Sequence, residues 1–574
     1  MSDLVMLLVK EFIFASLAVI TMKLTSFLAA INYSTDLATN PNQIGDQAMR
    51  YDFIIVGAGS SGAVIANRLS ESGQFNVLLL EAGGDPLITE DVPYLSGLIL
   101  NNPMTDWVYK TVPQNNSCLA YENNVMPWPR GKSLGGTSNL NHMIYMRGNP
   151  KDFDNWATLT GDPQWKYDNV LPYFKKFENY DGHFPSDEYH GKNGPMQVNT
   201  QSFEPQMEDW IKSGEELGFK KTDPNARQTS GFFPCDFTLS NGKRWGVYDG
   251  FIKPALTRTN LKVYRYARVL KINLDAQNQA TGVTYLRHGR LVVVNATKEV
   301  ILSAGAVGSP HLLMLSGIGP ATHLKSVKIE PKVDLPGVGQ NLQDHVSCLY
   351  GPFILNSTES FIMSRDLKFS SLIEYATLGI GPLSWTYVSG LGLTHSSLGD
   401  PDWPDLALTY IPLGIYPTIH KDVAAFFGLK ESLVNDYVSD FHDKDANFIL
   451  VYNGLPKSRG SITLRSSDPF DAPLIDPKYF SDPNDMKVMI DGFKFAVKLY
   501  ETANTWKKYN ASLVKKHFPG CETHPLQSDA YYECYIRHAT ATMWHPTSSC
   551  KMGNENDPMT VVDSNLRWQP VCLT

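Results

Sequence analysis

The chain has 574 residues, too many for one hydrophobic core and enough for two domains that share a large buried interface. With 43% hydrophobic and 19% charged residues it is a globular chain rather than a disordered one. A formal net charge of −8, with no basic block and no aromatic-interleaved Lys/Arg stripe, argues against nucleic acid as a partner and for a mildly acidic, soluble surface.

From Leu4 to Ile31 the chain is apolar apart from Lys10, Glu11 and Lys23, and Phe12 to Met22 is an uncharged run of 11 residues. That run suits a signal-peptide core within residues 1–31 better than a membrane span, which needs roughly 20 apolar residues, so no stable membrane insertion is expected. Lys10 is paired with Glu11 and no clean small-x-small cleavage site follows, so a membrane-anchored N-terminus and a cytosolic helix stay open as alternatives. Sequons at Asn32, Asn115, Asn295, Asn356 and Asn510 lean towards the secretory pathway and a secreted or extracellular protein. Residues 32–49 are polar, carry Pro41 and Gly45, and read as a linker.

Tyr51 to Val56 is a continuous apolar run rich in β-branched residues, the pattern of a strand buried on both faces. A glycine turn, Gly57-Ala-Gly59-Ser60-Ser61-Gly62, follows at once, then a helical stretch from Ala63 to Ser70 and a second buried strand from Phe75 to Leu80. This is a βαβ unit with a dinucleotide fingerprint. Gly57 permits the tight turn, Gly59 lets a pyrophosphate approach the backbone, and Gly62 allows close helix–strand packing, while Ser60 and Ser61 open the helix whose N-terminus faces the phosphates. Glu81, with Ala82 beside it, ends the second strand 19 residues after Gly62, where an acid binds ribose hydroxyls. The motif alone does not separate NAD from FAD.

Residues 85–130 are loop-rich, and long irregular segments of this kind usually cover functional sites. Asp168 to Phe177 reads as an amphipathic helix; Leu261 to Leu274 and Thr281 to Val294 read as strands with polar breaks, and Lys298 to Ser303 as another short apolar strand. Residues 346–540 mix strands and helices and are rich in aromatics. Of seven cysteines, Cys521 and Cys534 are close enough in sequence to bridge a short loop, and the odd total leaves at least one without an intrachain partner. No Cys/His cluster has zinc spacing, so no metal is expected.

Four longer segments carry a resemblance. Pro129-Arg-Gly-Lys-Ser-Leu-Gly-Gly-Thr-Ser-Asn-Leu-Asn-His-Met-Ile-Tyr-Met-Arg-Gly148 and Gly305-Ala-Val-Gly-Ser-Pro-His-Leu-Leu-Met-Leu-Ser-Gly-Ile-Gly319 resemble the two signatures of the glucose–methanol–choline (GMC) oxidoreductase family. Pro336-Gly-Val-Gly-Gln-Asn-Leu-Gln-Asp-His345 and Asp468-Pro-Phe-Asp-Ala-Pro-Leu-Ile-Asp-Pro477 match it too, and the resemblance runs from about residue 50 to 568, strongest to the insect glucose dehydrogenase-like branch. It implies FAD as cofactor and an α/β fold: a discontinuous Rossmann-type FAD-binding domain over 50–345, completed by 541–574, and an α+β substrate domain over 346–540 carrying an antiparallel sheet. It also implies that Gly136, Thr137, Asn141, His142, Ile144 and Trp544 lie beside the flavin, that Val269 meets the adenine, and that Ala304 and Gly305 touch the dinucleotide.

Trp544-His-Pro-Thr-Ser-Ser-Cys-Lys-Met-Gly553 resembles the family's catalytic histidine segment, which makes His545 the candidate acid/base for oxidising the CH–OH group of a small alcohol, sugar or sterol. The electron acceptor is a quinone-like molecule or O₂. His311 and His345 read as structural hydrogen-bonders, and Cys550 as a small apolar residue rather than a nucleophile. The family continues beyond the segment matched by Val562 to Arg567 with a further strand, a loop bearing a second catalytic His or Asn, and a helix. Here those positions would lie past Thr574, so a C-terminally short, catalytically impaired FAD-binding protein is the alternative expectation.

Overall fold

The computed structural model describes residues 21–38 and 50–568. The beginning of the expected signal peptide, residues 39–49 of the expected linker, and residues 569–574 lie outside the described residues. Residues 21–38 form a helix, α1, so the expected linker is helical over its first seven positions, 32–38. The helix is docked: the Asp36 carboxylate accepts hydrogen bonds from Arg265 and Arg287 at 2.8 Å each and contacts His288 at 2.7 Å.

β1 (Tyr51–Val56), α2 (Ser60–Glu71) and β2 (Val77–Leu80) form the expected βαβ unit. Successive side chains point to opposite faces of the sheet. Ile54, Val56, Leu78 and Leu80 therefore enter one core cluster, and Ile55, Val77 and Leu79 the other, where Ala63 and Ala66 of α2 pack against them. Short α3 (Ile88–Asp91) follows in the loop-rich region, and the expected amphipathic helix is α4 (Tyr167–Phe177).

β3 (Leu261–Tyr264), β4 (Ala267–Leu274), β5 (Ala280–Arg287) and β6 (Arg290–Leu302) complete a six-stranded sheet in the order β3-β2-β1-β6-β5-β4. β3, β2, β1 and the end of β6 run parallel, whereas β6, β5 and β4 are antiparallel. Three sequence boundaries change. Leu261 to Leu274 divides into β3 and β4, with Tyr266 at φ 53° between them. Thr281 to Val294 is not one strand but a hairpin, because His288 and Gly289 take positive φ (47° and 75°) and turn the chain. Its second arm runs on without a break through the separately expected strand at Lys298, so that β6 pairs with β5 first and with β1 last. α5 (Gly305–Leu315) leaves the C-terminal edge of β6.

The second unit is an antiparallel sheet. It contains β7 (Val346–Ile354), β8 (Gly390–Thr394), β9 (Leu406–Ile411) and β10 (Ala446–Asn453), ordered β7-β10-β9-β8 at its centre. Helix α6 (Phe369–Leu378) precedes β8, and α7 (Ile419–Phe427) lies between β9 and β10. α8 (Pro483–Thr502) packs on β10, and α9 (Asp529–His538) leads into β12 (Thr540–Thr542), which pairs with β7; β11 (Ser512–Leu513) pairs with β7 further along. The strand Gly231–Pro234, within the span expected to belong to the FAD-binding domain, pairs with β8 and so joins this sheet. Cys521 and Cys534 form a disulfide; Cys118, Cys235, Cys348 and Cys550 are free thiols.

Candidate active site

At the head of α2 the sequence leaves helix N–H groups without partners. Gly59 is the N-cap and has no side chain to offer, the first turn holds no acid, and the first N–H to find a helix carbonyl is that of Ala63, to Gly59 at 2.9 Å. Ser60 and Ser61 are exposed although Gly62 and Ala63 just behind them are buried. Gly62 must be glycine: a Cβ there would lie 1.9 Å from the Gly57 carbonyl oxygen. Gly136 must be glycine too, since a Cβ would lie 2.8 Å from the Gly59 Cα, which is how the segment from 129 comes to rest on the glycine turn.

Glu81 is buried at the end of β2. Its carboxylate accepts from the Ala58 and Gly83 N–H groups, both at 2.9 Å, and burial raises its pKa against those bonds. Each oxygen keeps a second acceptor direction. Ala82 is half-buried beside it. Val269 is a core residue of β4, 8% exposed, opposite Tyr285. Ala304 caps α5, and Gly305 is exposed with no atom near its missing side chain.

Thr137 accepts the Gly131 N–H at 3.2 Å. The Asn141 side-chain oxygen accepts from Arg244 at 2.7 Å and from the Met143 N–H at 3.1 Å. His142 Nδ1 meets the Ser96 hydroxyl at 3.1 Å, and its buried Nε2 has no partner. Burial, then the nearby Arg244 charge, hold His142 neutral with its pKa lowered to about 4. Ile144 is fixed through its backbone to Phe237.

The histidine segment closes the site. Trp544 takes φ +57°, a conformation rare for a bulky residue, and is held by its N–H to Thr542 (2.7 Å) and by Arg130 to its carbonyl (2.6 Å). The His545 N–H donates to Asp344 at 2.9 Å. The same buried carboxylate accepts from the hydroxyls of Tyr479 (2.5 Å) and Thr542 (2.6 Å), so one acid braces the loop at three points. The Trp544 ring lies 6.3 Å from His142 and 4.9 Å from Phe426, joining the predicted flavin-side stretch to the histidine loop. Ser549 donates to the Ala306 carbonyl at 2.5 Å, tying that loop to the start of α5.

His345, expected to be structural, is brought to His545: the two Nδ1 atoms are 3.0 Å apart. Only one of them can donate. Burial lowers the His345 pKa, against the Asp344 and Asp152 charges and the Gly454 backbone. Where His545 is the donor of the bond between the two rings, its Nε2 is left unprotonated. Burial, then the charges of His345 and Arg130, lower its pKa to about 3. Yet the ring is exposed. An imidazole hemmed in by protein but open to solvent sits in a recess. Arg130 and Asp344 lie inside the quoted family segments and Tyr479 just beyond one, but nothing in those segments gives their roles, which come from where distant segments meet. His311 is buried in α5, with its pKa lowered to about 4 by burial, and burial pushes the Cys550 thiol up to about 12, as expected of an inert residue.

The residues fit an FAD. Two unsatisfied helix starts, at Ser60 and Gly305, suit a pyrophosphate, Glu81 suits a ribose, and the exposed members of the predicted set (Ser60, Ser61, Asn141, Gly305 and His545) stand on buried scaffolding.

Two family models, each described as GMC oxidoreductase, match residues 51–347 and 456–571. Glucose dehydrogenase (FAD, quinone) of Drosophila melanogaster is 37% identical over 527 residues, covering 90% of this chain and 80% of the relative. Oxygen-dependent choline dehydrogenase of Sinorhizobium fredii is 34% identical over 539 residues, covering 90% and 89%. Among solved structures, formate oxidase superposes with a TM-score of 0.77 at 26% identity, covering 90% of this chain and 91% of the other, and pyridoxine 4-oxidase from Mesorbium loti with 0.74 at 26%, covering 90% and 92%. The C-terminal model reaches residue 571, so the region expected to be incomplete carries the family's C-terminal domain, and the reading as an impaired binder is not favoured.

Proposed function

The chain belongs to the GMC oxidoreductase family, and within it we propose that His545 is the acid/base that oxidises a small alcohol, sugar or sterol. The protein is an FAD-dependent oxidoreductase acting on CH–OH donors, in keeping with relatives named glucose dehydrogenase (FAD, quinone) and oxygen-dependent choline dehydrogenase. When bound, FAD supplies the hydride acceptor. Gly57, Gly59, Ser60, Ser61 and Gly62 would hold its pyrophosphate, Glu81 and Ala82 its ribose, and Val269 its adenine. Gly136, Thr137, Asn141, His142, Ile144, Trp544, Ala304 and Gly305 would line the remainder.

The observation that carries the proposal is the histidine pair. With His345 as the acceptor, it orients His545 through Nδ1, which leaves Nε2 to take the hydroxyl proton. As that proton arrives, the Nδ1–H bond to His345 spreads the positive charge, the arrangement of a base oriented by a third group. The acceptor of electrons is a quinone-like molecule or O₂, after the relatives' names. The sequons and the Cys521–Cys534 disulfide support a secreted protein.

His545→Ala tests the assignment. The variant should bind FAD with an unchanged visible spectrum and lose about 10²–10⁴-fold in the rate of flavin reduction by alcohol. With the wild-type base neutral above about pH 3, the rate should show no loss from this group between pH 8 and 5. A variant that reduces flavin at the wild-type rate would remove His545 from the mechanism.

A further inference from the structure

Away from the flavin recess, a second group of reactive side chains stands at the C-terminal end of α9. Cys534 lies in that helix and is bonded to Cys521; His538, one helical turn on, is the last residue of α9. Cys521 is fully buried, whereas Cys534 and His538 are half-buried. His538 Nδ1 is 2.8 Å from the Cys534 carbonyl oxygen. A carbonyl can only accept, so Nδ1 carries a proton. The same nitrogen is 3.6 Å from Cys534 Sγ and 3.7 Å from Cys521 Sγ. The facing chain makes room for the ring: Gly520 takes φ +94°, and a Cβ there would lie 2.9 Å from His538 Nε2.

A bridge that only ties two segments needs no donor beside its sulfurs. A disulfide sulfur is a poor acceptor and a thiolate a strong one, so an N–H placed next to both sulfurs favours the cleaved state over the intact bond. The surroundings also hold together without the bond. The Phe518 N–H donates to the Tyr531 hydroxyl at 3.0 Å, and the Phe518 ring packs 4.2 Å from that of Tyr535, which keeps the chain before Cys521 on α9. The end of α9 is anchored separately, since the carbonyls of Arg537 and His538 accept from the Leu119 and Ala120 N–H groups at 3.1 and 3.0 Å. Opening the bond therefore leaves the two sulfurs side by side and β12, which leads to His545, in place.

We propose that Cys521–Cys534 is an exchange-active disulfide, a reactive site independent of FAD that takes electrons from an external dithiol. The incoming thiolate attacks Cys534 Sγ, the sulfur nearer to solvent. The bond between the two cysteine sulfurs breaks, its electron pair goes to Cys521 Sγ, and the His538 Nδ1–H stabilises the thiolate that leaves. A new sulfur–sulfur bond joins Cys534 to the reagent. The reagent's second thiolate then attacks its own bound sulfur and releases Cys534. The dithiol is oxidised to its disulfide, the protein pair is reduced, and the dithiol's two protons end on Cys521 and Cys534.

Incubation of the FAD-loaded full chain with dithiothreitol, without denaturant, tests this. After acid quenching, alkylation and mass mapping, Cys521 and Cys534 should both appear as thiols while the near-ultraviolet circular dichroism stays native. His538→Phe keeps a ring and removes the donor; it should slow the opening at least about tenfold. Cys521→Ser, given oxidised glutathione, should gain one glutathione on Cys534 in the folded protein. A wild-type bond that opens only in guanidinium overturns the proposal. So does a His538→Phe variant that opens as fast as the wild type, which would leave the imidazole a structural role alone. Glutathione absent from Cys534 in folded Cys521→Ser contradicts attack at that sulfur.

Discussion

At the pyrophosphate end of the cleft the supporting residues are consecutive: β1, the Gly57–Gly62 turn and α2 follow one another, and the demands on Gly62 come from Gly57 just before it. At the catalytic end they are scattered. His545 meets His345 across 200 residues, Asp344 across 201, and Arg130 reaches the neighbouring carbonyl across 414. The first arrangement depends on local backbone geometry, so steric change at one residue should break it outright. The second depends on convergence of a packed interior, so single changes should weaken it by degrees.

Gly62→Val is expected to have the largest effect. A side chain 1.9 Å from the Gly57 carbonyl forces the turn open, and the purified variant should contain no FAD by visible absorption. Retention of stoichiometric FAD would break the contrast at its local end. His345→Ala removes the acceptor that fixes the His545 tautomer. Flavin content should hold while the rate of flavin reduction falls about tenfold to a hundredfold, the range seen for partners that orient a reactive group, and KM changes little. A purely structural His345 would lower thermal stability and leave that rate alone. Asp344→Asn should give the smallest effect. The amide keeps the volume and one acceptor oxygen but cannot serve all three donors, Tyr479, Thr542 and the His545 N–H. A loss of about 1–3 kcal/mol in denaturant unfolding is expected, with a modest fall in rate.

The same contrast sets what could be read from the sequence. β1, α2, β2 and the glycine turn were legible because hydrophobic runs and glycines within one stretch determine them. The β5–β6 hairpin was missed although its turn is local: the polar break at Arg287-His288-Gly289-Arg290 was read as an interruption within a strand, because His288-Gly289 is a weaker turn signal than Asn-Gly. Gly231–Pro234 is too short to announce that it joins the distant β8. His345 read as a structural hydrogen-bonder because its segment resembles a scaffold part of the family, and nothing local reveals the imidazole it faces. α1 was half read as linker because the partners of Asp36 lie 229 to 252 residues away, in β3–β5 and the turn that follows.

The central claim, an FAD enzyme that oxidises alcohols in this cleft, is tested most directly by the visible spectrum of the purified chain before and after anaerobic addition of glucose, choline and a panel of other alcohols. Oxidised flavin bands near about 370 and 450 nm that bleach with at least one of them are predicted. Folded protein that shows no such bands and takes up no added FAD would contradict the account.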